Sequence, residues 1–209
     1  MKQAASRRRA VIAGAMALGL LAPVARAGPA LYDDDMVIGA AAAPVTVIEY
    51  ASVGCPHCAA WARTVFPAFR KKYVDTGRVR FVFREMLTGQ ATLAAAGFLV
   101  ARCAGKAHYF DVVDTIFRDQ QIILEGGDAY GPLLQIAQAA GLTEAQFSAC
   151  MKDPAGLAAL TARTDRNGSE NRIEGTPTFV VGERKLDGEQ SLADLDAAIA
   201  AAGRRKEAH

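Results

Sequence analysis

The sequence predicts an α/β protein in which a β-α-β unit and a β-β-α unit flank a helical block. Three observations carry that prediction. A β-branched apolar run, Val45-Thr46-Val47-Ile48-Glu49-Tyr50, has the near-continuous hydrophobicity of a strand covered on both faces. From Thr92 to about Arg172 the apolar residues recur at helical intervals. Beyond Gly175 the period returns to two.

The elements follow in order. Residues 28–43, Gly28 to Ala43, are small, acidic and irregular, a lead-in with Asp33-Asp34-Asp35 solvated. After the first strand, a helix runs from about Pro56 to Tyr73, with Pro at its first position and Trp61, Val65 and Phe69 four residues apart. Pro67 kinks it, because proline removes a helical donor and crowds the preceding turn. In Arg78 to Arg84, Val79, Phe81 and Phe83 alternate with mostly basic residues, a half-exposed strand whose arginines Arg78, Arg80 and Arg84 face solvent.

In the helical block Phe110, Val113 and Phe117 form one stripe, and Leu133, Ile136, Ala137 and Ala140 form another after Pro132. Thr143 with Gln146 is a capping box for a short helix carrying Phe147, Cys150 and Met151, closed by Pro154, and a longer helix runs towards Arg172. Thr178–Val181, the turn Gly182-Glu183 and Arg184–Asp187 read as a hairpin. Ser191 with Asp194 caps a last helix that turns Leu192, Leu195 and Ile199 inward, and the polar tail after Gly203 frays.

Residues 1–27 stand outside this fold. A basic start (Lys2, Arg7, Arg8, Arg9), an apolar stretch from Ala10 to Ala25 and the A-x-A site Ala25-Arg26-Ala27 describe a signal peptide. The stretch is shorter than the roughly 18 residues of a bilayer span and is broken by Gly14, Gly19 and Pro23, which favours removal over anchoring. Ser6-Arg7-Arg8 fits a twin-arginine signal loosely, and the ordinary secretory route is the preferred reading. Cleavage leaves 182 residues with 19 basic and 22 acidic side chains, a net charge of −3 in place of the +2 of the whole sequence. That balance gives no basis for nucleic-acid binding. All four cysteines lie in the mature part, which an oxidising compartment would meet with pairing.

The chemistry concentrates in Cys55-Pro56-His57-Cys58, where the buried strand feeds the helix. A helical turn brings two cysteines three apart together, and the first sits where unpaired N–H groups and the helix dipole favour an anion. Cys55 is therefore expected to be the exposed, acidic thiol and Cys58 the buried resolving partner. Thiols in such settings fall to about 3.5–7.5, and a stable thiolate makes the disulfide an oxidant. His57 can add a favourable charge or N–H beside the sulfur, and Pro56 stiffens the first turn. Half of a zinc site, completed by His57, Cys103 or Cys150, is the rival reading. The remote cysteines show no second CxxC or HxxC spacing, so redox work without a metal or other cofactor is preferred. Trp61 reads as core, and His108 as a surface residue at a helix start.

Glu49 through Cys58, together with Gly175-Thr176-Pro177-Thr178-Phe179, resembles the DsbA-like branch of the thioredoxin superfamily, and the similarity extends from about Met36 to Ala201. The resemblance implies a thioredoxin fold formed by residues 44–91 and 173–203, with an inserted all-helical domain at 92–172 and a polar tail at 204–209. It implies that Pro177 is cis and faces the disulfide, with Thr176 beside Cys55 ready to pair with an extended substrate. Glu49 resembles the acid below the active site that influences proton transfer at Cys58. Some members resembling this one hold a disulfide where Cys103 and Cys150 lie; two buried free thiols are the alternative.

The implied activity is a periplasmic, monomeric protein-disulfide oxidase acting on reduced exported polypeptides and recharged by a DsbB-type membrane protein linked to quinone. Thr176 departs from the valine common in such oxidases and looks like the isomerase-type relatives. Yet only 16 residues, Gly28 to Ala43, precede the first fold strand, too few for the dimerisation domain those isomerases use. The competing functions are an isomerase or reductase kept reduced by a membrane partner, a peptide-binding chaperone with incidental thiols, and a peroxidase, for which no peroxide-activating arginine motif is evident.

Overall fold

The computed structural model describes residues 30–207, with side chains through Arg204; the signal-peptide reading of residues 1–27 lies outside the described residues. A five-stranded sheet in the order β1-β3-β2-β4-β5 forms the centre. Its strands are β1 (Met36–Ile38), β2 (Val45–Ala51), β3 (Val79–Glu85), β4 (Thr178–Val181) and β5 (Arg184–Asp187). β2 and β3 run parallel, Val45 opposite Val79 and Ala51 opposite Glu85. The other pairings are antiparallel. Two parallel strands need a crossover, and α1 (Pro56–Thr64) with α2 (Phe66–Phe69) supplies it. The α/β class read from the sequence is thus the observed one.

Because side chains alternate along a strand, Val47, Ala51, Phe81 and Phe83 point to one face and Ile48, Tyr50 and Val82 to the other. The first set joins Trp61, Phe98, Ile116, Phe117 and Phe179 in the main core. The second packs with Met86 and Val180, and Val37 and Ile173 flank it. Between β3 and β4 stand α3 (Ala91–Cys103), α4 (Tyr109–Glu125), α5 (Tyr130–Ala139), α6 (Glu144–Met151) and α7 (Pro154–Glu170). Thr143 and Gln146 form the reciprocal capping box at the start of α6.

Four sequence expectations change. The helix expected over Pro56–Tyr73 ends at Thr64, restarts as α2 with Pro67 in its first turn, and finishes in a π-type turn over Arg70–Val74. The kink is a break because the proline is tolerated only in a first turn. The lead-in is not wholly irregular, since Met36–Ile38 is an edge strand paired with Ile38 opposite Phe81. Its acids are not all solvated. Asp35 is 8% exposed and meets Arg84 through two hydrogen bonds of 3.0 Å, and Asp34 bonds Arg166 at 2.9 Å.

For the same reason β3 is not half-exposed: Arg84 and Glu85 are each 1% exposed. Arg84 is compensated by Asp35 and by Tyr50, whose Oη accepts at 2.8 Å. Glu85 holds Arg102 at 2.7 Å and Arg163 at 2.8 Å. Buried charges persist only when paired in this way. Of the three arginines expected in solvent, only Arg78 is fully exposed, with Arg80 half-buried. Finally, the tail does not fray at Gly203, because α8 spans Leu192–Glu207. Arg204, Arg205 and Lys206 are good helix formers, and cations suit a helix C-terminus.

Candidate active site

Cys55 lies just beyond the carboxyl end of β2, where α/β sheets place their ligands. It is the N-cap of α1, with extended backbone (φ −98°, ψ 120°) and Pro56 at the first helical position. The approach to it is glycine by necessity. A side-chain carbon on Gly54 would collide with the Gln90 carbonyl, and Gln90 N–H donates to the Gly54 carbonyl at 2.9 Å. Ser52 Oγ accepts from Gly54 N–H at 3.1 Å and donates to the Thr88 carbonyl at 2.8 Å. Gln120, on α4, donates from Nε2 to the Val53 carbonyl at 2.7 Å and to the Cys55 carbonyl at 3.2 Å.

Cys55, expected to be the exposed thiol, is itself only 6% exposed, covered where the Thr176 carbonyl approaches it, yet the two thiols are held very differently. Cys55 Sγ points at the Thr176 carbonyl, 3.4 Å away. Its thiol is pulled down to about 5, chiefly by a hydrogen bond from the Cys58 side chain, then by Thr176 and by the backbone N–H groups of Cys58 and His57, against the opposing effect of burial. Cys58 has no exposure at all, and burial, the hydrogen bond with Cys55 and the nearby Glu49 push its thiol far up. Pro56 and His57 are the exposed members of the tetrapeptide, and His57 Nδ1 lies 2.7 Å from Glu189 Oε1. That hydrogen bond, the Glu189 charge and the Cys55 thiolate raise the imidazole.

Thr176 and Pro177, 121 residues and more further along the chain, complete the rim, and the peptide bond between them is cis. The Thr176 hydroxyl lies 2.6 Å from that of Thr88. Beneath, Glu49 is 2% exposed on the strand face shared with Val47 and Ala51. Burial, then Asp114 and Cys55, push its carboxyl well up, and among the described residues Oε1 has no hydrogen-bond partner. Cys103 and Cys150 lie apart from this cluster and are joined to each other across α3 and α6, with an S–S distance of 1.97 Å. Neither is free to complete a metal site with Cys55 and Cys58. Trp61 is 1% exposed and donates its indole N–H to the Gln190 carbonyl at 2.9 Å.

Sequence reasoning therefore named Cys55, Pro56, His57, Cys58, Thr176, Pro177 and Glu49, which the fold brings to one end of the sheet. It missed Thr88, Gln120 and Glu189. Gln120 alone had a signal: it extends the stripe Phe110, Val113, Phe117 by three residues, a polar side chain on a buried helix face.

Comparison with known proteins agrees with this geometry. A family model described as Thioredoxin matches residues 32–201. A Rickettsia conorii protein named "Putative protein-disulfide oxidoreductase" is 35% identical over 150 residues, covering 71% of this chain and 53% of that protein. The chain thus spans about half the length of such curated relatives. Among solved structures, Wolbachia pipientis alpha-DsbA1 superposes with a TM-score of 0.74 at 22% identity, covering 85% of this chain and 95% of that one. A protein-disulfide isomerase from Novosphingobium aromaticivorans gives 0.69 at 19% identity, covering 83% and 99%. These two likenesses show a shared fold, helical insertion included.

Proposed function

Since the chain belongs to the thioredoxin family, we propose that it is an exported protein-disulfide oxidase that passes a Cys55–Cys58 disulfide to cysteine pairs in other exported polypeptides. The observation that carries this reading is the inequality of the two sulfurs: one held near 5 at a helix N-terminus, the other wholly enclosed and held protonated. A thiol lowered from 9.0 to about 5 stabilises the reduced protein near neutrality by about 3 kcal/mol, because only the two units between the pH and the lowered value count there. A dithiol whose reduced form is favoured gives its disulfide away.

In the proposed cycle a client thiolate attacks Cys55 Sγ, the Cys55–Cys58 bond breaks, and Cys58 leaves as a thiolate that takes up a proton. A second client thiolate then attacks the client sulfur of the mixed disulfide. The client disulfide forms, Cys55 departs as its stable thiolate, and two electrons remain on the reduced dithiol. Thr176, through its backbone beside Cys55 and next to Pro177, would pair with an extended client segment as an added strand. Glu49 would exchange protons with Cys58, His57 and Pro56 would shape the first turn, and Cys103–Cys150 would staple the helical block. A DsbB-type membrane protein would remove the electrons, with the periplasm as the site of action, the leader removed near Gly28, and the chain monomeric. Relatives named for disulfide chemistry, the Rickettsia conorii protein among them, support the class of reaction.

The test is oxidation of a reduced client by the oxidised protein, read with its equilibrium against glutathione. Client disulfides should form, and Cys55→Ser should abolish them. A potential as reducing as that of thioredoxin, or a dithiol found reduced in the cell, would instead identify a reductase or isomerase. Client-binding activity that survived Cys55→Ser would identify a chaperone.

A further inference from the structure

The cavity beneath the active site has a second acid in its wall. Glu49 lines a space of about 10 Å³, the threshold for a single water, whose walls are otherwise apolar, including Trp61, Phe83 and Val113. The exception is Asp114, on α4. Asp114 also lines an open surface groove of about 370 Å³ together with Arg63, Arg70 and Arg118. The wall between groove and cavity consists of Ala62, Phe66, Phe117 and Asp114, so among the described residues Asp114 is the one titratable side chain that borders both.

An unpartnered, buried carboxyl oxygen on Glu49 needs a proton or a donor. We propose that Asp114 passes protons between the solvent-filled groove and Glu49, and so serves the buried Cys58 sulfur during thiol exchange. The inference rests on the dithiol reading above and deepens it. When an attacking thiolate bonds to Cys55 Sγ, the Cys55–Cys58 bond breaks and its electron pair leaves on Cys58 Sγ. The Glu49 carboxyl gives that sulfur its proton and becomes a carboxylate. Asp114 then returns a proton to Glu49 through the intervening cavity and is itself reprotonated from the groove. Running backwards, the same route removes the Cys58 proton when the disulfide re-forms.

The electrostatics suit the task. Burial, aided by Asp111, pushes Asp114 up to about 6, against the opposing charges of Arg70 and Arg118. Arg63, the remaining cation in the groove, donates to the Phe117 carbonyl at 3.0 Å. Glu49 is also raised, and Asp114 is the second cause after burial. Two neighbouring acids both raised above the ordinary carboxyl range are suited to exchanging a proton.

Asp114 acts through Glu49, so the readout must follow protons. The rate at which dithiothreitol opens the Cys55–Cys58 disulfide, followed by Trp61 fluorescence and corrected for ionisation of the attacking thiol, should carry an inflection near the Asp114 titration. Asp114→Asn should slow opening roughly tenfold, short of the hundredfold or more expected for loss of a direct acid, and should erase the inflection. Added acetic acid should restore the rate, as should Asp114→Glu. If Asp114→Asn failed to fold, Asp114→Ser, small, polar and unable to titrate, would be read in the same way. An unchanged profile, or slowing that neither acid nor Asp114→Glu repaired, would overturn the relay. Dithiothreitol opens the bond whether or not clients are oxidised, so a protein inert towards clients yet showing the inflection would defeat the oxidase reading alone.

Discussion

The Thr88 and Thr176 hydroxyl oxygens lie 2.6 Å apart and tie the loop after β3 to the residue that precedes Pro177. Ser52, whose Oγ donates to the Thr88 carbonyl, ties the same loop to the approach to Cys55. Each hydroxyl has one proton. With Thr88 donating, the Thr176 hydroxyl is held with its own proton aimed at the Cys55 thiolate. Thr88→Val removes the bond that sets that orientation and should raise the Cys55 titration by less than about one unit, because Thr176 is only one of several contributors, and Thr88→Ser should not. Thiolate absorbance of the reduced protein against pH checks this.

The largest influence on Cys55 is the Cys58 side chain. A thiol and a hydroxyl both donate, whereas a methyl group does not. Cys58→Ala should raise the Cys55 titration well above 5, and Cys58→Ser should keep most of the depression. Iodoacetamide alkylation rates against pH would show the ordering, and identical curves for the two variants would remove the hydrogen bond from the account.

Stability should depend on redox state and pH together. The lowered Cys55 value stabilises the reduced form fully above the unfolded value of 9.0 and loses that effect as the pH falls through about 5. At about pH 8 it is worth about 4 kcal/mol, against about 2 kcal/mol for the chain entropy of so short a disulfide loop, so the reduced form is the more stable. At about pH 5 the thiolate contributes under about 1 kcal/mol and the order reverses. Urea denaturation of both forms at the two pH values measures this; an oxidised form more stable at both would contradict it.

Gln120 is 3% exposed, and its amide serves two carbonyls in the active-site approach. The Cys55 carbonyl keeps the Ala59 N–H at 3.1 Å when Gln120 is lost, but the Val53 carbonyl is left without its side-chain donor. Gln120→Leu, close in size, should destabilise by about 1–3 kcal/mol in urea titrations. It should also loosen the Cys55 loop, seen as faster amide exchange over residues 53–55.

The cysteine tetrapeptide and the strand–helix junction that displays it are legible because they are local: the apolar run, the proline and the two cysteines lie within 14 residues, Val45 to Cys58. The order of elements is likewise carried by periodicity within each segment. What the sequence hid are pairings at long range. His57 meets Glu189 across 132 residues, Arg84 meets Asp35 across 49, and Thr88 meets Thr176 across 88. The alternation of β3 pointed to solvent for Arg84 because charge suggests water; it was the acidic lead-in, folded back as the edge of the sheet, that made an interior place for it. Glu49 was visible as a misplaced acid in an apolar strand; its neighbour Asp114, four residues after Phe110 and three before Phe117, was an equally misplaced acid in an apolar helical stripe, and that signal was passed over.

Tyr32 lies between two guanidinium groups, 4.4 Å from that of Arg84 and 4.0 Å from that of Arg166. The first belongs to β3 and the second to α7, so an aromatic ring at the front of the described chain buckles the sheet to the last helix of the insertion. The two halves of the fold are thereby fastened from outside by residues that precede both, and the acidic run beside Tyr32 helps hold the platform on which Cys55 and Cys58 sit.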